Sequence, residues 1–101
     1  MTEEQYFYAV IKPYRQDFII NPKEEEEQIM SDHFLYLKSL LEQQKLYLAG
    51  PTLIPEDPFG LIILEADTEE DARNLLENDP SVKAGIQKIA DFRPIRLSLT
   101  R

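Results

Sequence analysis

Residues Asn21 to Lys45, NPKEEEEQIMSDHFLYLKSLLEQQK, constrain the fold more than any other stretch, because they read as one long amphipathic helix. Ile29, His33, Tyr36, Leu37, Leu40 and Leu41 recur at three- and four-residue spacing and form a stripe, while Glu25, Glu26, Asp32, Lys38 and Glu42 fall elsewhere. Asn21 is the expected N-cap, with Pro22 at the first helical position, where its missing N–H costs nothing, and Glu24 three residues after the cap. The acidic run Glu24 to Glu27 needs no metal or basic partner. Carboxylates at the positive end of a helix dipole are stabilised by about 0.3 to 1 kcal/mol each when exposed. His33, the single histidine, sits on the stripe one turn after Ile29 and one turn before Leu37. Its ordinary role there is that of a core histidine bonded to a neighbour; a chemical role requires a second group.

At 101 residues and 43% hydrophobic, the chain makes one domain, residues 1–101, able to bury roughly 60 to 65% of its unfolded surface. The formal charge of -8, from 19 acidic against 11 basic residues, argues against nucleic acid or an anionic membrane as partner, since phosphate binding needs clustered Lys and Arg. With no cysteine and a single histidine, disulfides, thiolate zinc sites, cysteine nucleophiles and multi-histidine metal centres are excluded, and no metal is expected. The start, MTEEQYFYAVIK, is acidic where a signal peptide is basic and has no apolar run long enough for export or membrane spanning, so the expected location is the cytoplasm.

Tyr6 to Lys12 (YFYAVIK) is apolar on both alternating faces and fits an interior strand, with Tyr8 and Val10 on one side and Phe7, Ala9 and Ile11 on the other. Lys12-Pro13 ends it, and Pro13 to Ile20 is a loop in which Phe18, Ile19 and Ile20 are apolar enough to fold back over a pocket. Leu46 to Ile54 reads as a strand interrupted by a bulge or break at Gly50-Pro51, which is either a sheet irregularity or a pocket wall. The turn PEDPFG leads into Leu61 to Ala66, completing a hairpin. Thr68 opens a second helix through the capping box TEED, with Ala72, Leu75 and Leu76 on its apolar face, and Asn78-Asp79-Pro80 closes it. Ser81 to Gly85 is a short connection, and Ile86 to Leu99 is a last strand in which Ile95, Leu97 and Leu99 alternate with Arg96 and Ser98. Pro94 implies an edge or bulge near it. The order βαββαβ is that of a ferredoxin-like split βαβ sandwich, an α+β fold with both helices on one face of an antiparallel sheet. The first and third strands are apolar on both sides, so the other sheet face is expected to be covered by a second copy of the chain, in a homodimer.

No GxGxxG, P-loop, GxSxG or HExxH motif is present, and no cofactor is expected. What remains is a constellation. His33 lies on the inner face of the first helix and Asp79 at the exit of the second, and the split βαβ arrangement can bring them together. A carboxylate beside an imidazole fixes its tautomer and favours its charged form, which suits a general acid or base working near neutral pH.

The pieces His33-Phe34-Leu35-Tyr36-Leu37, Leu48-Ala49-Gly50-Pro51, Leu64-Glu65-Ala66, Glu70-Asp71-Ala72, Asp79 to Gly85 and Phe92-Arg93-Pro94, in that order, resemble the YciI-like (YCII-related) proteins, over roughly Tyr6 to Leu97. The resemblance implies a small ferredoxin-like protein of dimeric α/β-barrel type. It also implies a His-Asp active site that maps onto His33 and Asp79, and lyase or isomerase chemistry on a small enolisable or phenolic substrate, in the manner of dehydrochlorinases or muconolactone isomerases. Tyr8, Gly50, Pro51 and Pro80 are the expected substrate-contacting positions. The alternative is a non-catalytic ligand-binding or assembly module of the same fold. The sequence departs from that family where arginines commonly precede the histidine: here those turns read EEEEQIMSD, and Arg15 is the nearest basic residue upstream of them apart from Lys23.

Overall fold

The computed structural model describes residues 5–15 and 23–101. Seven elements follow in order: β1 (Gln5–Pro13), α1 (Glu24–Glu42), β2 (Leu46–Pro51), β3 (Gly60–Ala66), α2 (Glu69–Glu77), α3 (Pro80–Lys83) and β4 (Gln87–Ile95). The four strands form one sheet in the order β2-β3-β1-β4, with every neighbouring pair antiparallel. This is the ferredoxin-like sandwich that the order of elements predicts, with one short helical turn added between α2 and β4.

The period-2 pattern of β1 decides how the layers stack. Phe7, Ala9 and Ile11 are buried and pair in register with Leu64, Ile62 and Gly60 of β3. They form the core with Leu40 of α1, Leu46 of β2 and Ala72 and Leu76 of α2, and Tyr36, Leu37, Leu75 and Phe92 pack around it. Phe7 stacks on Phe92 with ring centroids 5.8 Å apart. The alternate residues Tyr6, Tyr8 and Val10 pair with Glu65, Ile63 and Leu61 and face the opposite side, where no helix lies.

The helix boundaries differ from expectation in ways that follow from capping. The Asn21 cap, Pro22 and the loop apolars Phe18, Ile19 and Ile20 lie outside the described residues. α1 begins at Glu24 with Lys23 in extended N-cap geometry, and the Glu26 carboxylate accepts the Lys23 backbone N–H at 2.7 Å. The acidic first turn is therefore used as a cap two residues later than the sequence implies. At the other end Gln43 is the C-cap and Gln44 adopts φ 62°. Gln44 N–H bonds to Leu41 C=O and Lys45 N–H to Leu40 C=O, the paired bonds of a Schellman ending, here without the glycine that usually takes the left-handed position. Leu41, expected on the apolar stripe, is 51% exposed, and Leu40 alone takes the buried position in the last turn of α1.

Two strand expectations also change, and the one for Pro94 holds. In β2 the register shifts between Leu46 and Leu48, while Gly50 and Pro51 continue the pairing to Leu61 and Gly60. Pro51 is tolerated because β2 is an edge strand and Pro51 is its last residue. β4 ends at Ile95: Leu97 is half-buried and Leu99 is 96% exposed, and among the described residues no strand pairs with the alternation beyond Ile95. Pro94 stands on the opposite edge strand and a register shift lies opposite Val10 and Ile11 of β1, the edge-and-bulge setting that a proline requires. Thr68 caps α2, its Oγ1 accepting the Asp71 N–H at 3.0 Å.

Candidate acid/base site at the α1–α3 contact

Asp79 is held by the turn it begins. It is the N-cap of α3, in extended conformation with Pro80 at the first helical position, and its Oδ1 accepts the Ser81 N–H at 2.8 Å. The connection from Ser81 to Gly85 is thus helical rather than irregular, and it turns the Asp79 side chain inward. At 1% exposure an isolated carboxylate would be strongly destabilising, so its bonds matter. Oδ1 also lies 2.8 Å from the hydroxyl of Ser81, which is itself completely buried. Oδ2 lies 2.6 Å from Nδ1 of His33, 46 residues away in sequence. The backbone N–H and the hydroxyl of Ser81 thus both converge on Oδ1, which leaves Oδ2 facing the ring.

The other half of the pair comes from the middle of α1, where the apolar stripe delivers His33 to the α1–α3 contact. The His33 side chain keeps 15% of its surface exposed against 1% for Asp79. An aspartate carboxylate can only accept, so in this bond Nδ1 is the donor, and in the neutral ring that tautomer leaves the lone pair on Nε2. Among the described residues nothing bonds Nε2. A buried orienting carboxylate on one ring nitrogen and a partly open second nitrogen is the division a general base needs. Tyr36, one turn along α1, donates its hydroxyl to Leu75 C=O at 2.7 Å and ties α1 to α2 beside the pair. Burial, and then the negative charge of Asp79, push its phenol above the usual tyrosine range.

Of the residues expected around the pair, Pro80 is brought in directly, as the neighbour of Asp79 in the α3 turn. Gly50 and Pro51 stand on β2, at the sheet edge remote from β4. Tyr8 points to the face away from the helices, so within one chain the sheet lies between it and His33. Two contributors escaped the sequence reading. Ser81 and the buried Gln87, whose side chain lies 3.1 Å from Ser81 Oγ, complete the polar cluster. The signal for Ser81 was present: a serine two residues after an Asp-Pro helix start donates back to the aspartate. Gln87 carries no such local signature. Arg15, the one basic residue singled out near the helix, pairs with Glu26. That carboxyl is held below the usual glutamate range by the Lys23 backbone N–H and by Arg15.

A family model for the YCII-related domain matches residues 6–96. The chain belongs to the YCII-related family. Solved structures agree on the fold. The 5-chloro-2-hydroxyhydroquinone dehydrochlorinase TftG from Burkholderia phenoliruptrix AC1100, determined in complex with 2,5-dihydroxybenzoquinone, superposes with a TM-score of 0.63 at 23% identity, covering 90% of this chain and 91% of that one. A structural-genomics protein, YJCS, superposes with a TM-score of 0.56 at 13% identity, covering 93% and 98%. At these identities the likeness establishes the dimeric α/β-barrel type of fold and not a shared substrate. A search of curated protein sequences finds no match. Among the described residues no helix is long and apolar enough to cross a membrane.

Proposed function

We propose that this YCII-related protein is a small-molecule lyase or isomerase in which His33 exchanges a proton with an enolisable or phenolic substrate through Nε2, and Asp79 holds the ring in the reactive tautomer. The observation that carries the reading is the 2.6 Å bond from His33 Nδ1 to a buried, three-donor carboxylate. That carboxylate is already oriented by the α3 turn, so it can hold the ring in one tautomer, which a backbone carbonyl would do without stabilising an imidazolium charge. In this reading His33 removes an acidic C–H or O–H proton, imidazolium charge is stabilised by Asp79, and the proton returns to the product or to water as the leaving group departs. Proton transfer of this kind requires no cofactor. Membership of the family and the fold shared with a dehydrochlorinase support a phenolic or enolisable substrate, and Pro80, Gly50 and Pro51 are proposed to contact it.

The sheet face away from the helices supports a homodimer, the second part of the proposal, in a cytoplasmic setting. Around Val10 and Ile63, which are already buried within one chain, Tyr6 and Tyr47 meet edge to face with centroids 5.7 Å apart, and Leu48 and Ile95 are 39% and 38% exposed. Exposed apolar residues on a sheet face are the usual mark of an interface, and in this reading Tyr8 would lie against the partner. Sedimentation is expected to give a dimer at micromolar concentration that is insensitive to salt; a monomer refutes this part.

The catalytic part is tested by screening chlorinated hydroxyquinols, lactones and enolisable acids for turnover with the wild-type protein, His33→Gln and Asp79→Asn. Turnover by the wild type alone is the expected result. Binding without turnover in all three would show a ligand-binding module instead.

A further inference from the structure

The buried polar cluster holds one more assignment, and it comes from counting protons. Ser81 Oγ has a single hydrogen and three neighbours: Asp79 Oδ1 at 2.8 Å, Gln87 Oε1 at 3.1 Å and His33 Nδ1 at 3.3 Å. Nδ1 already spends its proton on Asp79 Oδ2 and has nothing to accept with. Of the two oxygens, the carboxylate is nearer and charged, so it receives the hydroxyl proton. Gln87 Oε1 would then face the lone pairs of Ser81, acceptor against acceptor, in a site where Gln87 is 8% exposed. Turning the amide end over exchanges oxygen for nitrogen without changing the side chain's shape, and it removes the conflict by letting Nε2–H donate to Ser81 Oγ.

We infer that Ser81, with the Gln87 amide donating to it, is a positioning residue that sets how strongly Asp79 draws the Nδ1 proton of His33. This rests on the acid/base reading of the pair given above. The chain of donors runs one way, Gln87 to Ser81 to Asp79, and meets the His33 donor at the carboxylate. Each proton directed at Oδ1 withdraws charge from the carboxylate and moderates its pull at Oδ2, while fixing the plane in which Oδ2 faces the ring. A residue that merely filled space would fix neither.

Because the chain has a single histidine, its Nδ1 proton and ring nitrogens can be followed by NMR without assignment ambiguity. Ser81→Ala is expected to move the Nδ1 proton downfield by more than its line width, as Asp79 loses a donor and pulls harder. No shift, or an upfield shift from a loosened pair, overturns the inference. Gln87→Leu keeps the volume and leaves Ser81 in place, so it decides the matter even if Ser81→Ala fails to fold. With the amide as donor, its loss weakens the hydroxyl as a donor and the Nδ1 proton moves downfield, by less than in Ser81→Ala. With the amide as acceptor, its loss frees the hydroxyl for Asp79 and the proton moves upfield or stays, which overturns the assignment of Gln87. A wild-type ring protonated on Nε2 would refute the acid/base reading itself, whereas a wild-type Nδ1–H unmoved by either variant refutes this inference alone.

Discussion

Asp79→Asn is the sharpest perturbation the site offers, because it separates the fold's use of Asp79 from the ring's. Asparagine keeps one oxygen, and at Oδ1 that oxygen still accepts the Ser81 N–H and hydroxyl, each at 2.8 Å, so the α3 cap survives. The amide nitrogen then takes the place of Oδ2, 2.6 Å from His33 Nδ1, and puts a donor where the ring had an acceptor. The imidazole must answer by moving its hydrogen to Nε2 and accepting through Nδ1. A hydrogen bond to a charged group contributes about 1.5 to 3 kcal/mol, and tenfold in an equilibrium corresponds to about 1.4 kcal/mol, so the tautomer ratio should shift by about ten- to a hundredfold. Ring nitrogen chemical shifts read that ratio directly in a protein with one histidine. With the lone pair turned inward, His33 has no base to offer a substrate, and turnover should fall while the melting temperature changes little. An Asp79→Asn protein whose neutral ring still carries its proton on Nδ1 would refute the reasoning, since it would mean that the carboxylate does not choose the tautomer.

Three further outcomes are expected. Thr68→Ala removes the oxygen that accepts the Asp71 N–H and should destabilise the protein by about 0.5 to 2 kcal/mol in chemical denaturation, without altering the His33 spectrum. Gln44→Gly relieves a left-handed residue at φ 62° and should stabilise by up to about 1 kcal/mol, read as a higher denaturation midpoint with unchanged slope. Tyr36 holds its proton more tightly when folded, because it is buried and beside Asp79, so its contribution is fully present below the ordinary tyrosine pKa of about 10 and is lost as pH rises beyond it. Tyr36→Phe should therefore be less stable than wild type at neutral pH, for want of the bond to Leu75 C=O, and the gap should narrow above about pH 10.

The layer arrangement was legible because it is written in periodicity. The alternation in β1 grouped Phe7, Ala9 and Ile11 on one of two apolar faces and the 3.6 period of α1 grouped Tyr36, Leu37 and Leu40 on its stripe, and the two sets meet in the core. Where periodicity stops, the reading fails. Leu97 and Leu99 alternate like strand residues, but a pattern cannot say whether a partner strand extends far enough to use it, and among the described residues the pairing of β1 reaches Ile95. Leu41 satisfies the helix spacing and still faces out, since it lies about 100° round the helix from Leu40, which takes the core position of that turn. The His33–Asp79 pairing followed from placing a helix face opposite a helix exit, and the structure brings those atoms within 2.6 Å. Gln87 was beyond reach for a different reason. Its relation to Ser81 depends on how β4 starts after the α3 turn, a matter of three-dimensional register and not of spacing.

The placement of Asp79 explains why a site of this kind can persist on a small domain. A buried carboxylate normally costs several kcal/mol unless its lone pairs are met, and much of the compensation here is local. The Ser81 N–H and hydroxyl belong to the same turn, so they form whenever Asp-Pro-Ser folds into the start of α3, whether or not α1 has docked. His33 then arrives as the one long-range donor, to a carboxylate whose orientation is already set. Preorganisation of this sort is what lets a single proton-transfer group operate without a rearrangement during the reaction. It also makes the pair asymmetric under mutation. Removing His33 leaves Asp79 with both Ser81 donors and a partly opened site, whereas Asp79→Ala removes the α3 cap and strands His33, Ser81 and Gln87 together. The alanine variant should therefore lose more stability than His33→Ala, by at least the 0.5 to 2 kcal/mol that an N-cap contributes, and equal losses for the two would show that α3 is held by something other than Asp79.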